Sequence, residues 1–267
     1  MIRCIAIDLD DTLLRSDLTI SSEDKRAIDR AIQKGVKVLL ASGRMVQSIR
    51  PYVFELGLDL PVIAYNGAII QEVISGKILY HRPVPVEEAR MMVPIFRQTG
   101  IHLNVYINDE LYMDELTYWG QKYVANAGVT PRAIGDVNRF INEPCHKLLA
   151  AGEVEQIDRI QARLIKEFEG RLQFIKSKPN YLEILAPEVS KGRALQKLAT
   201  NWGLDRNEVM AIGDAPNDIS MLTWAGVGVA IGNAASIIKE KAVLVVDDHD
   251  HNGVAEALES LVFNRDF

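Results

Sequence analysis

Residues 2–17 read IRCIAIDLDDTLLRSD, an apolar run that stops abruptly at three carboxylates, Asp8, Asp10 and Asp11. The run is nearly continuous and rich in β-branched residues, which is typical of a parallel strand buried on both faces. Asp8 and Asp10 lie two positions apart, so in an extended chain their side chains project to the same side. Three carboxylates within four positions repel one another, so something must offset their charge.

Helix and strand signals alternate over the first third of the chain. Ser21 is a candidate N-cap with an acidic side chain three residues later, and Gly35 is a candidate helix stop. VKVLLASGR (36–44) is a second buried strand, a further helix is interrupted by Pro51, and PVIAYNG (61–67) is the next strand. This alternation predicts an α/β fold with a doubly wound, mostly parallel, Rossmann-like sheet.

The pattern changes in the middle of the chain. Hairpin-like turns, clustered aromatic residues and helical stretches follow Pro83 and continue to Pro187, after which strand and helix signals alternate again. The sequence therefore predicts one α/β core, formed by residues 1–82 and 188–267, that is split by an inserted α+β domain at residues 83–187.

Composition narrows the range of partners. A chain of 267 residues favours about two domains. Its net charge of −6 gives no overall field that would attract nucleic acid or an anionic membrane, so positive charge for an anionic substrate must be local. The N-terminus lacks a signal-peptide layout and no apolar segment approaches the ~18 residues of a membrane span, so a cytoplasmic location is expected.

Two later loops carry polar residues that should lie at the same sheet edge as Asp8. Ser42 and Gly43 follow the second strand, and Asp214 and Asp218 follow the strand EVMAI. The carboxyl ends of parallel strands in such a sheet face one crevice. A hydroxyl beside a glycine N–H suits a phosphate oxygen, and the carboxylates suit Mg²⁺. Each loop alone is more often a turn or a helix cap, but their convergence favours a site.

Lys191 opens a helix for which Ser190 is the candidate N-cap. A lysine is mildly disfavoured there by the helix dipole, so it is either simply solvent-exposed or supplies the missing local cation. Four carboxylates around one pocket are tolerable when a divalent cation lies among them. One aspartate can then attack a phosphate while the other transfers the proton, which predicts phosphoryl transfer.

Four motifs, in this order, resemble those of the haloacid dehalogenase (HAD) superfamily of phosphatases: DLDDTLL (8–14), ASGR (41–44), VSKGRAL (189–195) and GDAPNDISML (213–222). The chain is further similar to the Cof-like branch with a type IIB cap in IAYNGA (63–68), YLEILAPEVSKG (181–192) and HNGVAEALE (251–259). The resemblance implies that the insertion is a cap that governs substrate specificity.

The resemblance also implies roles for individual residues. Asp8 matches the nucleophile that forms an aspartyl-phosphate, and Asp10 matches the general acid and base. The residues matching the family's Mg²⁺ ligands are Asp8, the Asp10 carbonyl and Asp214, with Asp218 as a ligand or a contact of one. The residues matching its phosphate-binding groups are the Leu9 backbone, Ser42, Gly43, Lys191 and Asn217. Arg44 and Asn66 match positions near the site.

The chain departs from the family pattern at Asp11, which stands where the family has glycine. Aspartate tolerates a positive φ better than most residues, so we predict that Asp11 has a turn role and no catalytic one. In the insertion, Tyr106, Tyr112 and Trp119 are candidates for substrate contacts, although such aromatics more often serve packing.

The sequence thus predicts a Mg²⁺-dependent phosphomonoester hydrolase of small phosphorylated metabolites, such as sugar phosphates or a flavin-pathway intermediate. Two alternatives stay open at this point. A phosphomutase would use the same aspartyl-phosphate, and a non-catalytic module would only bind a phosphorylated metabolite. Asp10 argues against the last, because a binding protein has no use for a general acid there. The sequence does not give the oligomeric state.

Overall fold

A computed structural model describes residues 1–263, so the end of the predicted core range, residues 264–267, lies outside the described part. In chain order the strands are β1 (Cys4–Ile7), β2 (Lys37–Leu40), β3 (Val62–Ala64), β4 (Ile69–Gln71), β5 (Ile78–His81), β6 (His102–Ile107), β7 (Glu110–Met113), β8 (Pro131–Ala133), β9 (Lys147–Ala151), β10 (Gln173–Lys178), β11 (Tyr181–Leu185), β12 (Val209–Gly213), β13 (Val227–Ala230) and β14 (Leu244–Val245). The helices are α1 (Ser22–Gln33), α2 (Val46–Glu55), α3 (Val86–Thr99), α4 (Tyr118–Ala127), α5 (Val137–Phe140), α6 (Val154–Glu167), α7 (Lys191–Asn201), α8 (Ile219–Trp224), α9 (Ser236–Lys239) and α10 (Gly253–Leu258).

The first of two compact units comprises residues 1–43, 49–79 and 190–263. Its central sheet has the strand order β14-β13-β12-β1-β2, and all of these strands are parallel. Successive strands run outward from β1 in one direction and from β12 in the other, which confirms the doubly wound α/β fold. Sheets of this kind bind ligands beyond the carboxyl ends of the strands where the order reverses, here between β1 and β12.

Local sequence signals position the elements of this unit. The Ser21 hydroxyl accepts the Asp24 N–H at 2.9 Å, so the predicted N-cap of α1 is confirmed. Gly35 follows the helix with φ 80°, which suits a glycine stop. The predicted interruption at Pro51 is wrong, because α2 continues through it. Since a proline within a helix removes one backbone N–H donor, the helix loses a hydrogen bond without ending there.

The second unit comprises residues 44–48 and 80–189. Its sheet has the order β10-β11-β9-β6-β7-β8 and is antiparallel except where β7 pairs with β8. One face of this sheet packs against α3 and α6 in an apolar core, to which Phe96, Val105, Leu148, Ile160 and Ile184 belong. The role of this unit as a substrate-selecting cap stays a prediction.

The hairpin between β6 and β7 turns at Asn108 and Asp109, whose φ angles are 53° and 59°. The Asp109 carboxylate accepts the N–H groups of Val46 and Gln47, each at 2.8 Å, and so caps the start of α2. Through these bonds residues 44–48 pack with the second unit. Within residues 1–263, each helix is too short or too polar to cross a membrane.

Candidate active site

Strand β1 carries Asp8 to the carboxyl edge of the core sheet. Ile7 lies opposite Ile212 in the parallel register with β12, and the Asp8 N–H donates to the Ile212 carbonyl at 3.0 Å. Asp8 is 4% exposed. Because β12 ends at Gly213, Asp214 leaves the neighbouring strand at the same edge. The strand order thus brings Asp8 and Asp214 together although the sequence separates them widely.

The chain turns sharply after Asp8. The Leu9 carbonyl accepts backbone N–H groups of the following turn, so Asp10 lies in that turn, whereas the sequence suggested an extended continuation of the strand. Asp11 has φ 58°, in agreement with the turn role predicted for it. The Asn233 side chain donates to the Asp11 carbonyl at 2.8 Å, which ties this turn to the loop after β13.

Three carboxylates converge at the edge of the sheet. Asp8, Asp214 and Asp218 each offer an oxygen, and these oxygens lie within 4.8 Å of one another. Burial, followed by the charge of Asp218, raises the pKa of Asp8 to about 7. Burial, followed by the charge of Asp8, raises the pKa of Asp214 to about 9, although Thr12 donates a hydrogen bond to this carboxylate at 2.8 Å.

Converging carboxylate oxygens are the donor set that hard divalent cations prefer, so these residues fit the magnesium ion predicted from the sequence. The Asp10 carboxylate is not part of the group, in which each residue contributes a side-chain oxygen. The family resemblance assigns the Asp10 carbonyl to the ion, and that assignment stays a prediction.

Lys191 lies between two of these carboxylates and is 1% exposed. Its Nζ donates to Asp8 Oδ1 at 2.5 Å and to Asp218 Oδ1 at 2.6 Å. Burial alone would lower the pKa of Lys191, but the charges of Asp218 and Asp8 outweigh it and raise the pKa. Ser190 caps the helix by accepting the Arg193 N–H at 3.2 Å. The alternative that Lys191 is simply exposed to solvent is therefore wrong.

Asp218 is fully buried and fixes the loop that carries Asp214. Its Oδ2 accepts the N–H groups of Asp214 and Ala215 at 3.1 and 3.0 Å, while its Oδ1 accepts from Lys191. Gly213 permits this fold of the loop, because a Cβ there would lie 2.6 Å from the Asp218 Cβ. Both oxygens of Asp218 thus already accept hydrogen bonds from the protein.

The residues predicted to bind phosphate lie on loops of the same unit. Ser42 is fully buried, and its N–H donates to the Ile63 carbonyl at 2.8 Å. Gly43 packs against Asn66, since a Cβ on Gly43 would lie 2.9 Å from the Asn66 Oδ1. Asn217 Nδ2 donates to that same oxygen at 2.9 Å. The structure therefore brings Gly43, Asn66 and Asn217 together.

The remaining candidates belong to the second unit. Arg44 is buried there. Tyr106 is fully buried and packs edge-on against Tyr123, and Tyr112 lies in the apolar core. Trp119 is half-buried beside an exposed tyrosine of α4. Two of the three aromatic candidates therefore pack in the interior, as such residues more often do.

Sequence reasoning assigned no role to two residues that contact the site. Thr12 bonds to Asp214, and Asn233 holds the turn at Asp11. Thr12 was visible as part of the motif DLDDTLL, whose threonine is a side-chain donor directly after the carboxylates. Asn233 lies 222 positions from Asp11, and no local pattern marks it.

Comparison with known proteins covers nearly the whole chain. The family model described as haloacid dehalogenase-like hydrolase matches residues 5–258. The chain is 30% identical over 288 residues to the 5-amino-6-(5-phospho-D-ribitylamino)uracil phosphatase YwtE of Bacillus subtilis, covering 97% of this chain and 98% of that protein. It is 28% identical over 268 residues to the pyridoxal phosphate phosphatase YbhA of Escherichia coli, with 97% and 98% covered. The crystal structure of a haloacid dehalogenase-like hydrolase from Bacteroides thetaiotaomicron matches with a TM-score of 0.90 at 31% identity, over 97% of this chain and 99% of that one.

Proposed function

Since this chain belongs to the haloacid dehalogenase-like hydrolase family, we propose that it is a Mg²⁺-dependent phosphomonoester hydrolase that works through an aspartyl-phosphate on Asp8. The chain is a phosphatase of that family, and its relatives include phosphatases of small phosphorylated molecules. The observation that carries the finer proposal is the buried Lys191 ammonium between Asp8 and Asp218, with Asp214 in the same cluster.

Asp8 and Asp10 carry out the two steps of the proposed hydrolysis. Asp8 Oδ attacks phosphorus, the bond from phosphorus to the ester oxygen breaks, and the phosphoryl group is held on Asp8 as an acyl phosphate. Asp10 gives its proton to the departing alcohol and then accepts one from the water that attacks the acyl phosphate. That second step releases inorganic phosphate and restores the Asp8 carboxylate.

Charge at the transferring group is balanced from two sides. The Lys191 ammonium, the Ser42 hydroxyl and the Gly43 N–H bind the phosphoryl oxygens. Asp8, Asp214 and the Asp10 carbonyl would hold Mg²⁺, which when bound offsets the charge of the phosphate and of the carboxylates. Asp218 positions Lys191 and the backbone at Asp214, because both of its oxygens already accept hydrogen bonds there.

The substrate that we propose is a small metabolite with a primary phosphate ester on a polyol or sugar. Support comes from the relative that acts on 5-amino-6-(5-phospho-D-ribitylamino)uracil, in which the phosphate sits on a ribityl chain. Sugar phosphates and this flavin-pathway intermediate share that ester chemistry, so both are first candidates. The cytoplasmic location stays a prediction of the sequence.

Turnover of p-nitrophenyl phosphate by the full chain tests the proposal. Asp8→Asn should abolish turnover, because it removes the nucleophile while keeping the shape of the side chain. EDTA should abolish it reversibly, with activity returning on addition of Mg²⁺. The matched control is Asp29→Asn, at an exposed aspartate of α1, which should behave as the wild type. Undiminished activity of Asp8→Asn, or in EDTA, would refute the mechanism.

A further inference from the structure

The turn formed by Tyr65, Asn66 and Gly67 has an unusual backbone. The three residues have φ angles of 51°, 57° and 98°, and Tyr65 and Asn66 are buried. A left-handed conformation is unfavourable for a bulky aromatic residue, so the surroundings must impose it on Tyr65. Backbone strain of this kind clusters at functional sites, where other contacts hold it in place.

Contacts on two sides fix this turn against the predicted phosphate-binding loops. The Asn66 N–H donates to the Ser42 carbonyl at 3.1 Å, and the Asn66 amide lies against Gly43. On the other side, a Cβ on Gly67 would lie 2.3 Å from the Ser190 carbonyl oxygen, directly before Lys191. The turn therefore contacts both the loop before α2 and the start of α7.

The Asn66 side chain reaches a third loop. Asn217 Nδ2 donates to Asn66 Oδ1 at 2.9 Å. The other two amide atoms, Asn66 Nδ2 and Asn217 Oδ1, are buried and have no hydrogen-bond partner within residues 1–263. Buried polar atoms without partners are rare in native proteins and call for an explanation. The protein therefore satisfies this pair of amides only in part, and their remaining N–H groups can donate to a phosphate oxygen.

We propose that Asn66 is a positioning residue of the phosphate site, which orients the Asn217 amide and holds the Ser42–Gly43 loop for a bound phosphate. The inference deepens the proposed function and rests on it for the identity of the ligand. Asn66 acts through Asn217 and through the Ser42–Gly43 loop, so its removal weakens phosphate binding more than it slows the chemical step. Packing alone would explain the tight contact with Gly43 but not the two unpaired amide atoms.

Asn66→Gly tests the proposal, because glycine keeps the positive φ of the turn and removes only the side chain. Asn108→Gly is the matched control, since Asn108 also has a positive φ of 53° but lies exposed in the hairpin of the second unit. Inorganic phosphate is titrated into each full-length variant by calorimetry with Mg²⁺ present. KM and kcat for p-nitrophenyl phosphate are measured in parallel, together with Tm.

Asn66→Gly should weaken phosphate binding and raise KM by about tenfold or more, which is the contribution of a hydrogen bond to a charged group. The kcat should change less, and Asn108→Gly should match the wild type. The double variant Asn66→Gly/Asn217→Ala should lose less phosphate affinity than the sum of the two single losses, because part of the effect of Asn66 passes through Asn217.

Unchanged phosphate affinity in Asn66→Gly, or losses that add fully in the double variant, would overturn the positioning role. A fall in Tm without a change in affinity would also overturn it, since the residue would then be merely structural. A wild type that binds phosphate but hydrolyses no ester would refute the proposed function instead, while the affinities still decide the role of Asn66.

Discussion

Replacing Lys191 with methionine should destabilise the metal-free protein by an amount that distinguishes a buried ion pair from a surface one. Exposed ion pairs contribute about 0–1 kcal/mol, whereas removal of one partner from a buried pair costs about 3–5 kcal/mol. Lys191 is 1% exposed and contacts Asp8 and Asp218 at 2.5 and 2.6 Å, so the buried case applies. Methionine has a similar length and leaves the carboxylates without their ammonium partner.

The assay is thermal unfolding in EDTA at neutral pH, followed by circular dichroism. A domain of this size shifts its Tm by about 2–4 °C per kcal/mol, so a loss of about 6–20 °C is expected. The control is Lys197→Met, at an exposed lysine of the same helix, which should shift the Tm little. Adding Asp218→Asn to Lys191→Met should recover part of the loss, because it removes one uncompensated charge. Equal Tm values for Lys191→Met and Lys197→Met would refute the reasoning.

Two further predictions concern other parts of the chain. Asp11→Gly should keep the wild-type kcat/KM, since Asp11 has φ 58° and a turn role, and a collapse comparable to Asp8→Asn would show that its carboxylate takes part in catalysis. Burial, followed by the charge of His81, lowers the pKa of His146 to about 4 from its ordinary 6.5. Between these two pH values the His146 side chain is therefore neutral in the folded protein, whereas it takes up a proton in the unfolded chain. Stability should therefore fall by about 3 kcal/mol as the pH drops from 6.5 towards 4. This loss of stability at low pH should be smaller in His146→Gln, as measured by the free energy of unfolding at each pH. Identical pH profiles of stability for the wild type and His146→Gln would contradict the prediction.

Local signals made much of the core predictable. A buried apolar run ending in aspartate predicted β1, and the serine before each of two helices predicted the caps at Ser21 and Ser190. These features depend on a few neighbouring residues, so the sequence alone contains them. The common edge of the loops at Ser42 and Asp214 also followed from the alternation of strands and helices, because parallel strands end on the same side.

Contacts that depend on the order of strands were not predictable in the same way. Thr12 is hydrogen-bonded to Asp214, which lies 202 positions away in the sequence, and Asn66 is hydrogen-bonded to Asn217, which lies 151 positions away. The cap that Asp109 places on α2 spans 63 positions, from a hairpin to the start of a helix. At Tyr65 the local sequence predicts the wrong backbone conformation, because its positive φ contradicts the local preference of an aromatic residue. Tertiary contacts decide all four features.

Charge at the site explains why Lys191 alone would not suffice for the proposed reaction. Three converging carboxylates and one ammonium leave a net charge of −2 when all are ionised. Burial, followed by the charge of the neighbouring carboxylates, raises the pKa values of Asp8 and Asp214. A phosphate dianion entering such a site would bring the total to −4. A divalent cation among the carboxylates would return it to −2, which makes attack by Asp8 on an anion feasible. In the proposed mechanism the opening run of three carboxylates therefore separates into Asp8 as the nucleophile that needs both cations, Asp10 as the residue that transfers a proton, and Asp11 as a residue of the turn.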